Sequence, residues 1–138
     1  MELATPAIPR YAPNMFNLLL VMLGGAIGAG ARYLVGQASV AAWGSSYPWG
    51  TLAVNLAGGL LMGLLAGSLS RMGGGEQWRL LLGVGVLGGF TTFSAFSLDV
   101  MAMLQRGDWG PALFYSLASV IGSVAALGLG LSLTKAVA

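Results

Sequence analysis

The placement of ten charged residues constrains this 138-residue chain more than any other feature. They are Glu2, Arg10, Arg32, Arg71, Glu76, Arg79, Asp99, Arg106, Asp108 and Lys135. Between them lie charge-free runs at 11–31, 33–70, 80–98 and 109–134, and a helix needs about 20 apolar residues to cross the hydrocarbon core of a bilayer. The second run holds one span, because Gln37 to Pro48 reads as a polar loop containing Gly, Ser and Trp, whereas Gly50 to Ser70 reads as continuous helix. The pattern predicts an all-α membrane protein, 1–138 forming a single membrane domain, with spans at about 15–36, 50–70, 79–105 and 111–133 after an N-terminal tail at 1–14. The connections are short and leave no room for a soluble domain between spans.

Composition supports the same solvent. Apolar residues make up 57% and charged residues 7%, against about 25% charged in a typical soluble domain. The net charge of +2 is too small for a nucleic-acid footprint. With no His and no Cys, imidazole acid–base chemistry, thiol nucleophiles, disulfides and the usual zinc ligands are excluded. No nucleophile–base pair can be assembled for soluble catalysis. A cleavable signal peptide is the competing reading of the first run, since Arg10 precedes it and Ala29-Gly30-Ala31 imitates a cleavage site. Its length and the three spans that follow favour a retained helix. Lys and Arg divide four (Arg10, Arg71, Arg79, Lys135) against two (Arg32, Arg106) across the membrane, a near-tie that favours an inside N-terminus weakly and suits a chain inserting both ways round.

Lipid supplies no hydrophobic drive between helices, so association depends on close backbone approach through small residues. Gly24 and Gly28 in span one, Gly59, Gly63 and Gly67 in span two, and Gly122, Ala126 and Gly130 in span four recur at fourfold spacing. Tight packing within the bundle explains most of them, and their number suggests packing that continues into a second subunit.

Polar residues within the spans form stripes. Thr51 and Asn55 share a face of span two, and Tyr115, Ser119 and Ser123 make a hydroxyl ladder on span four, ~12 Å long at ~1.5 Å per residue. A single Ser or Thr in a helix commonly bonds back to its own carbonyls. Asn55 is the most informative of the set, because an amide has donors and acceptors that its own helix cannot satisfy. Span three carries Gly85-Val-Leu-Gly-Gly-Phe-Thr-Thr-Phe-Ser-Ala-Phe-Ser97. A Gly pair followed by two β-branched Thr is a poor helix. A break there would free backbone groups at mid-depth, which is tolerated only against protein, water or an ion, and free carbonyls suit a cation. Phe93 and Phe96 then stand at i, i+3, which by itself is ordinary core spacing. Arg32 is expected to snorkel to the interface and complement a helix C-terminus. Asp99 has no countercharge at i±4 and needs a partner on another helix or access to water.

These segments resemble the Fluc/CrcB family of fluoride channels. The resemblance rests on Gly24-Gly-Ala-Ile-Gly-Ala-Gly-Ala-Arg-Tyr33, on Gly50-Thr-Leu-Ala-Val-Asn55, on the Gly85 to Phe96 segment, and on Tyr115 with Ser119 and Ser123, in matching order from about Asn17 to Ser132. It implies an antiparallel, dual-topology homodimer of four-helix subunits, the third helix broken near its middle, with two pores. It also implies a structural Na⁺ at the dimer centre, held by the backbone carbonyls of Gly88 and Thr91 from both subunits. Phe93 and Phe96 would line the pores with their ring edges, Asn55 would donate to the anion, and Tyr115, Ser119 and Ser123 would continue the polar track. Thr51 and Arg32 would lie towards the entrance vestibule. Asp99 stands where the family usually has Glu.

The activity so implied is passive, fluoride-selective export across the bacterial inner membrane. A path of neutral amide, hydroxyl and aromatic-edge donors matches the need to replace an ion's water without holding it firmly. Two other readings are a coupled exporter of the small four-helix multidrug type, which would be expected to carry a carboxylate in its first helix where span one has none, and a purely structural assembly subunit.

Overall fold

The computed structural model describes residues 14–73 and 75–136. All of the expected tail except Asn14, with Glu2 and Arg10, lies outside the described residues. The described chain is helical throughout, with α1 at Met15–Trp43 and α2 at Trp49–Arg71. The third span is Glu76–Gln105. Its first part, α3, covers 76–90 and its second, α4, covers Phe93–Gln105; α5 is Trp109–Ala136. Among the described residues, four helices are long and apolar enough to cross a membrane: α1, α2, Glu76–Gln105 taken as one span, and α5.

Local chemistry sets the ends. Asn14 caps α1, its side chain accepting from the Phe16 N–H at 3.0 Å. The helix runs past the expected end at 36, because Gln37, Ala38, Ser39 and the Val-Ala-Ala that follow are compatible with α geometry and Ser39 buries against Gly50 of α2. The chain leaves the helix at Gly44, whose φ of 77° is open to glycine and strained for other residues. Gly107, with φ 83°, does the same after α4. The third span begins before its expected start at 79, since Glu76 to Trp78 already form a helical turn.

Outside the bundle the helices are greasy. Leu19, Leu23, Ile27 and Leu34 of α1 are exposed, as are Leu113, Leu117, Ile121 and Val124 of α5. Such an exterior needs lipid or another apolar surface to cover it. Inside, backbone meets backbone. A Cβ added at Gly28 would come within 2.0 Å of the Val86 carbonyl oxygen, and one at Gly63 within 2.1 Å of the Leu127 oxygen. Gly59 and Gly130 are similarly closed by the Ser123 and Leu60 oxygens, and Gly67 by the Thr134 side chain. The small-residue stripes therefore have their partners within this subunit: α1 lies on α3, and α2 lies along α5.

Residues Arg79–Leu87 of α3 are wound as π-helix, and the Gly88 N–H reaches back to the Gly83 carbonyl. The i→i+5 pattern is rare and widens the helix. Here glycines make it fit, since Gly85 sits against Gly24 and Gly89 against the Gly25 carbonyl, with no side chain between.

Gly63→Ala should therefore destabilise the subunit by about 1–3 kcal/mol through overpacking, read as a lower thermal midpoint in detergent. Gly128→Ala, where nothing lies within 4 Å of the added carbon, should leave that midpoint unchanged.

Candidate functional site

The site grows from Thr91 and Thr92, the two residues between α3 and α4. Both are extended, with ψ of 160° and 122°, so the helical ladder stops and restarts across them. Asn55 of α2 takes over the interrupted bonds. Its Nδ2 donates to the Thr92 carbonyl at 3.0 Å, and its Oδ1 accepts from the Thr92 N–H at 2.8 Å. The backbone N–H and C=O of one residue are thus both held by one side chain, a use that draws on the paired donor and acceptor of the amide. One N–H of the Asn55 amide is left over by these bonds.

The remaining groups at the break are accounted for in turn. Thr92 caps α4, its hydroxyl accepting from the Ala95 N–H at 3.2 Å. The Gly89 carbonyl accepts from Arg32 Nε at 3.0 Å. Arg32 thus complements a helix C-terminus, as its sequence position suggests, but the terminus is that of α3 and the side chain turns into the protein instead of snorkelling outward. The N–H groups that a continuous helix would aim at the carbonyls of Gly88 and Thr91 belong to Thr92 and Ala95. Both are diverted, to Asn55 and to the Thr92 hydroxyl.

Two cavities meet at Thr92. A groove of about 410 Å³ is lined by Asn55, Thr91, Thr92, Phe93, Phe96, Ser119 and Ser123, with apolar residues of α2 and α5 between them. A second cavity, about 320 Å³, is lined by Arg32, Tyr33, Gln37, Thr51 and Thr92 among others. Thr51 and Asn55, neighbours on one helix face, therefore open onto different cavities. Phe93 is 75% exposed and Phe96 is 8% exposed, with ring centroids 5.3 Å apart.

Tyr115 lies behind Phe96, ring centroids 5.4 Å apart, with no exposed surface of its own. Its hydroxyl donates to Asp99 Oδ2 at 2.9 Å, which supplies the partner from another helix that Asp99 requires. The Ser residues separate by role. Ser97, Ser116 and Ser132 bond back to carbonyls of their own helices, as does the Thr91 hydroxyl to Leu87. Ser119 does not: its Oγ is buried with no hydrogen-bond partner. Tyr47, which the sequence pattern did not single out, has an equally buried and unpartnered hydroxyl. A Tyr in a Ser-Ser-Tyr-Pro loop carries no periodic signal that would have marked it.

Fold and site together define a multi-pass membrane protein in which partly buried amide and hydroxyl groups, with no charged side chain in the groove, line a cavity between the spans. Residues 19–131 match the family described as CrcB-like protein, Camphor Resistance (CrcB), and the chain belongs to that family. Among its relatives are proteins named fluoride-specific ion channel FluC. One, from Phenylobacterium zucineum, is 57% identical over 125 residues, covering 89% of this chain and 98% of the relative. One from Mesorhizobium japonicum is 52% identical over 121 residues, covering 88% and 98%, and one from Chelativorans sp. is 55% identical over 124 residues, covering 89% and 99%. The relatives are channels and not enzymes, in keeping with a site that holds no nucleophile–base pair.

Asn55→Leu should strand both polar groups of the Thr92 peptide at a cost of about 1–3 kcal/mol each. The expected result is a large fall in thermal midpoint in detergent, with Asn55→Gln losing less.

Proposed function

We propose that this protein is a fluoride-selective channel that lets the anion leave a bacterial cell passively through its inner membrane. The observation that carries the reading is the groove joining Asn55, Phe93, Phe96, Ser119 and Ser123, in a chain more than half identical to proteins named fluoride-specific channels. Fluoride is small and firmly hydrated. A path for it must offer donors in place of water and must also let go. The spare Asn55 N–H, the unpartnered Ser119 hydroxyl and the electropositive edges of Phe93 and Phe96 are weak, distributed donors of this kind. Arg32 stands at the neighbouring cavity, where its charge draws anions towards the mouth without sitting in the groove.

The unit of conduction in this reading is an antiparallel, dual-topology homodimer with two pores, the break at Thr91 and Thr92 lying at membrane mid-depth. Support comes from the near-tied charge count, from the greasy exterior, and from the 75% exposure of Phe93, an aromatic that a second subunit would cover. A Na⁺ at the dimer centre fits the donor set, because the carbonyls of Gly88 and Thr91 have lost their helical N–H partners and hard oxygen ligands suit such a cation. Those carbonyls, from both subunits, would hold it. When bound, Na⁺ supplies fixed positive charge that offsets the converging carbonyl dipoles.

Purified protein in lipid vesicles should release fluoride rapidly and chloride hardly at all, followed with ion-selective electrodes. Asn55→Ala and Phe93→Ala should each reduce the fluoride rate by tenfold or more, as about 1.4 kcal/mol or more of lost stabilisation requires. Equal fluoride and chloride rates would overturn the selectivity. Exchange of Na⁺ for a large organic cation during purification should shift the dimer towards monomer on size-exclusion chromatography or lower its flux, and an unchanged dimer with unchanged flux would remove the ion from the account.

A further inference from the structure

The hydrogen-bond inventory at the α1–α2 loop end of the bundle leads beyond the groove. A phenol has one proton to donate. That of Tyr115 is already engaged, donated to Asp99 Oδ2 at 2.9 Å. As the side chains stand, Tyr115 offers a passing anion only oxygen lone pairs, and these repel it. The hydroxyl ladder of α5 thus lacks a free donor at this rung.

Two buried hydroxyls among the described residues have no partner, Ser119 Oγ and Tyr47 Oη, and they flank Tyr115. Ser119 is one helical turn further along α5, on the groove side. Tyr47 is on the loop side: its ring stands edge-on to that of Tyr115, centroids 5.6 Å apart at 81°, and it packs over the cluster of Phe96, Met103, Ala112 and Tyr115. The chain turns into this loop at Gly44, with a φ of 77°, and the Trp49 ring lies tilted against Tyr47, centroids 4.5 Å apart at 46°. A buried polar group without a partner costs free energy of about 1–3 kcal/mol, so a hydroxyl kept in that state calls for a ligand or a water.

We propose that Tyr47 supplies the missing donor: its hydroxyl coordinates the permeating anion between the Ser119 rung and the α1–α2 loop, while Asp99 holds Tyr115 out of that role. This assignment rests on the channel reading above. The ligand is a small, hard monovalent anion, since the groups that meet here are O–H donors and aromatic edges. Burial raises the Tyr47 phenol pKa above its ordinary value near 10, so the group remains a protonated donor throughout the physiological range.

Tyr47→Phe is the decisive variant, because it keeps the ring and its contacts and removes only the oxygen. Fluoride release from vesicles should fall about tenfold, the effect of losing one hydrogen bond to a charged partner. The thermal midpoint of the same preparation should stay unchanged or rise, because an unpartnered buried oxygen has been deleted. A structural role for the hydroxyl would give the opposite pair of results. Tyr47→Phe protein that releases fluoride at the wild-type rate would overturn the assignment and leave the channel reading standing. Wild-type vesicles that release no fluoride would overturn both.

Discussion

The two hydrogen bonds between the Asn55 side chain and the Thr92 peptide are the interaction on which the rest of this structure depends. A span interrupted within its apolar stretch exposes backbone N–H and C=O groups that lipid cannot solvate. Asn55 satisfies one such pair, the Thr92 hydroxyl satisfies the first N–H of the restarted helix, and Arg32 satisfies the Gly89 carbonyl. Three side chains, from α2, from α1 and from the interruption itself, thus fix what would otherwise be unstable. The interruption leaves the carbonyls of Gly88 and Thr91 without helical partners, beside the groove that Phe93 and Phe96 line.

Asp99 has a comparable place at the other end. A carboxylate between membrane-spanning helices needs a partner for its charge, and the Tyr115 hydroxyl supplies one from a fully buried position. The pair explains how a chain with few charges tolerates an acid so near its polar track. It also removes Tyr115 from the set of free donors, so that in the proposed channel the path is set by which protons remain unused and not by which residues are polar.

Much of this was legible in the sequence, and the physical reasons are specific. The number of spans followed from charge spacing, because the cost of burying charge in hydrocarbon leaves little latitude. The interest of Asn55 followed from its donor and acceptor count, although the sequence could not say that both would be used on Thr92 before any ion arrives. Which serines bond to their own helix and which do not was hidden, since Ser116 and Ser119 look alike in a string of letters and differ only in what packs against them. The end of α1 was misread because Gln37, Ala38 and Ser39 are polar or small enough to suggest a loop, while the burial of Ser39 against Gly50 of α2 holds this stretch to the bundle as helix. Arg32 carried the right chemistry to the wrong helix end. Tyr47 gave no signal at all, because a loop residue has no periodicity to betray it.

The glycine contacts between α2 and α5 have a consequence for how firmly these two helices are held. Where Gly59, Gly63 and Gly130 meet the carbonyls of Ser123, Leu127 and Leu60, the seam between them is made of main chain. Main chain has no rotamers to exchange, so thermal motion cannot part the helices by swinging a side chain aside. Their spacing is set by peptide geometry along two helices in direct contact, which gives the seam the stiffness of a crystal lattice where a row of leucines would give it the compliance of a gasket.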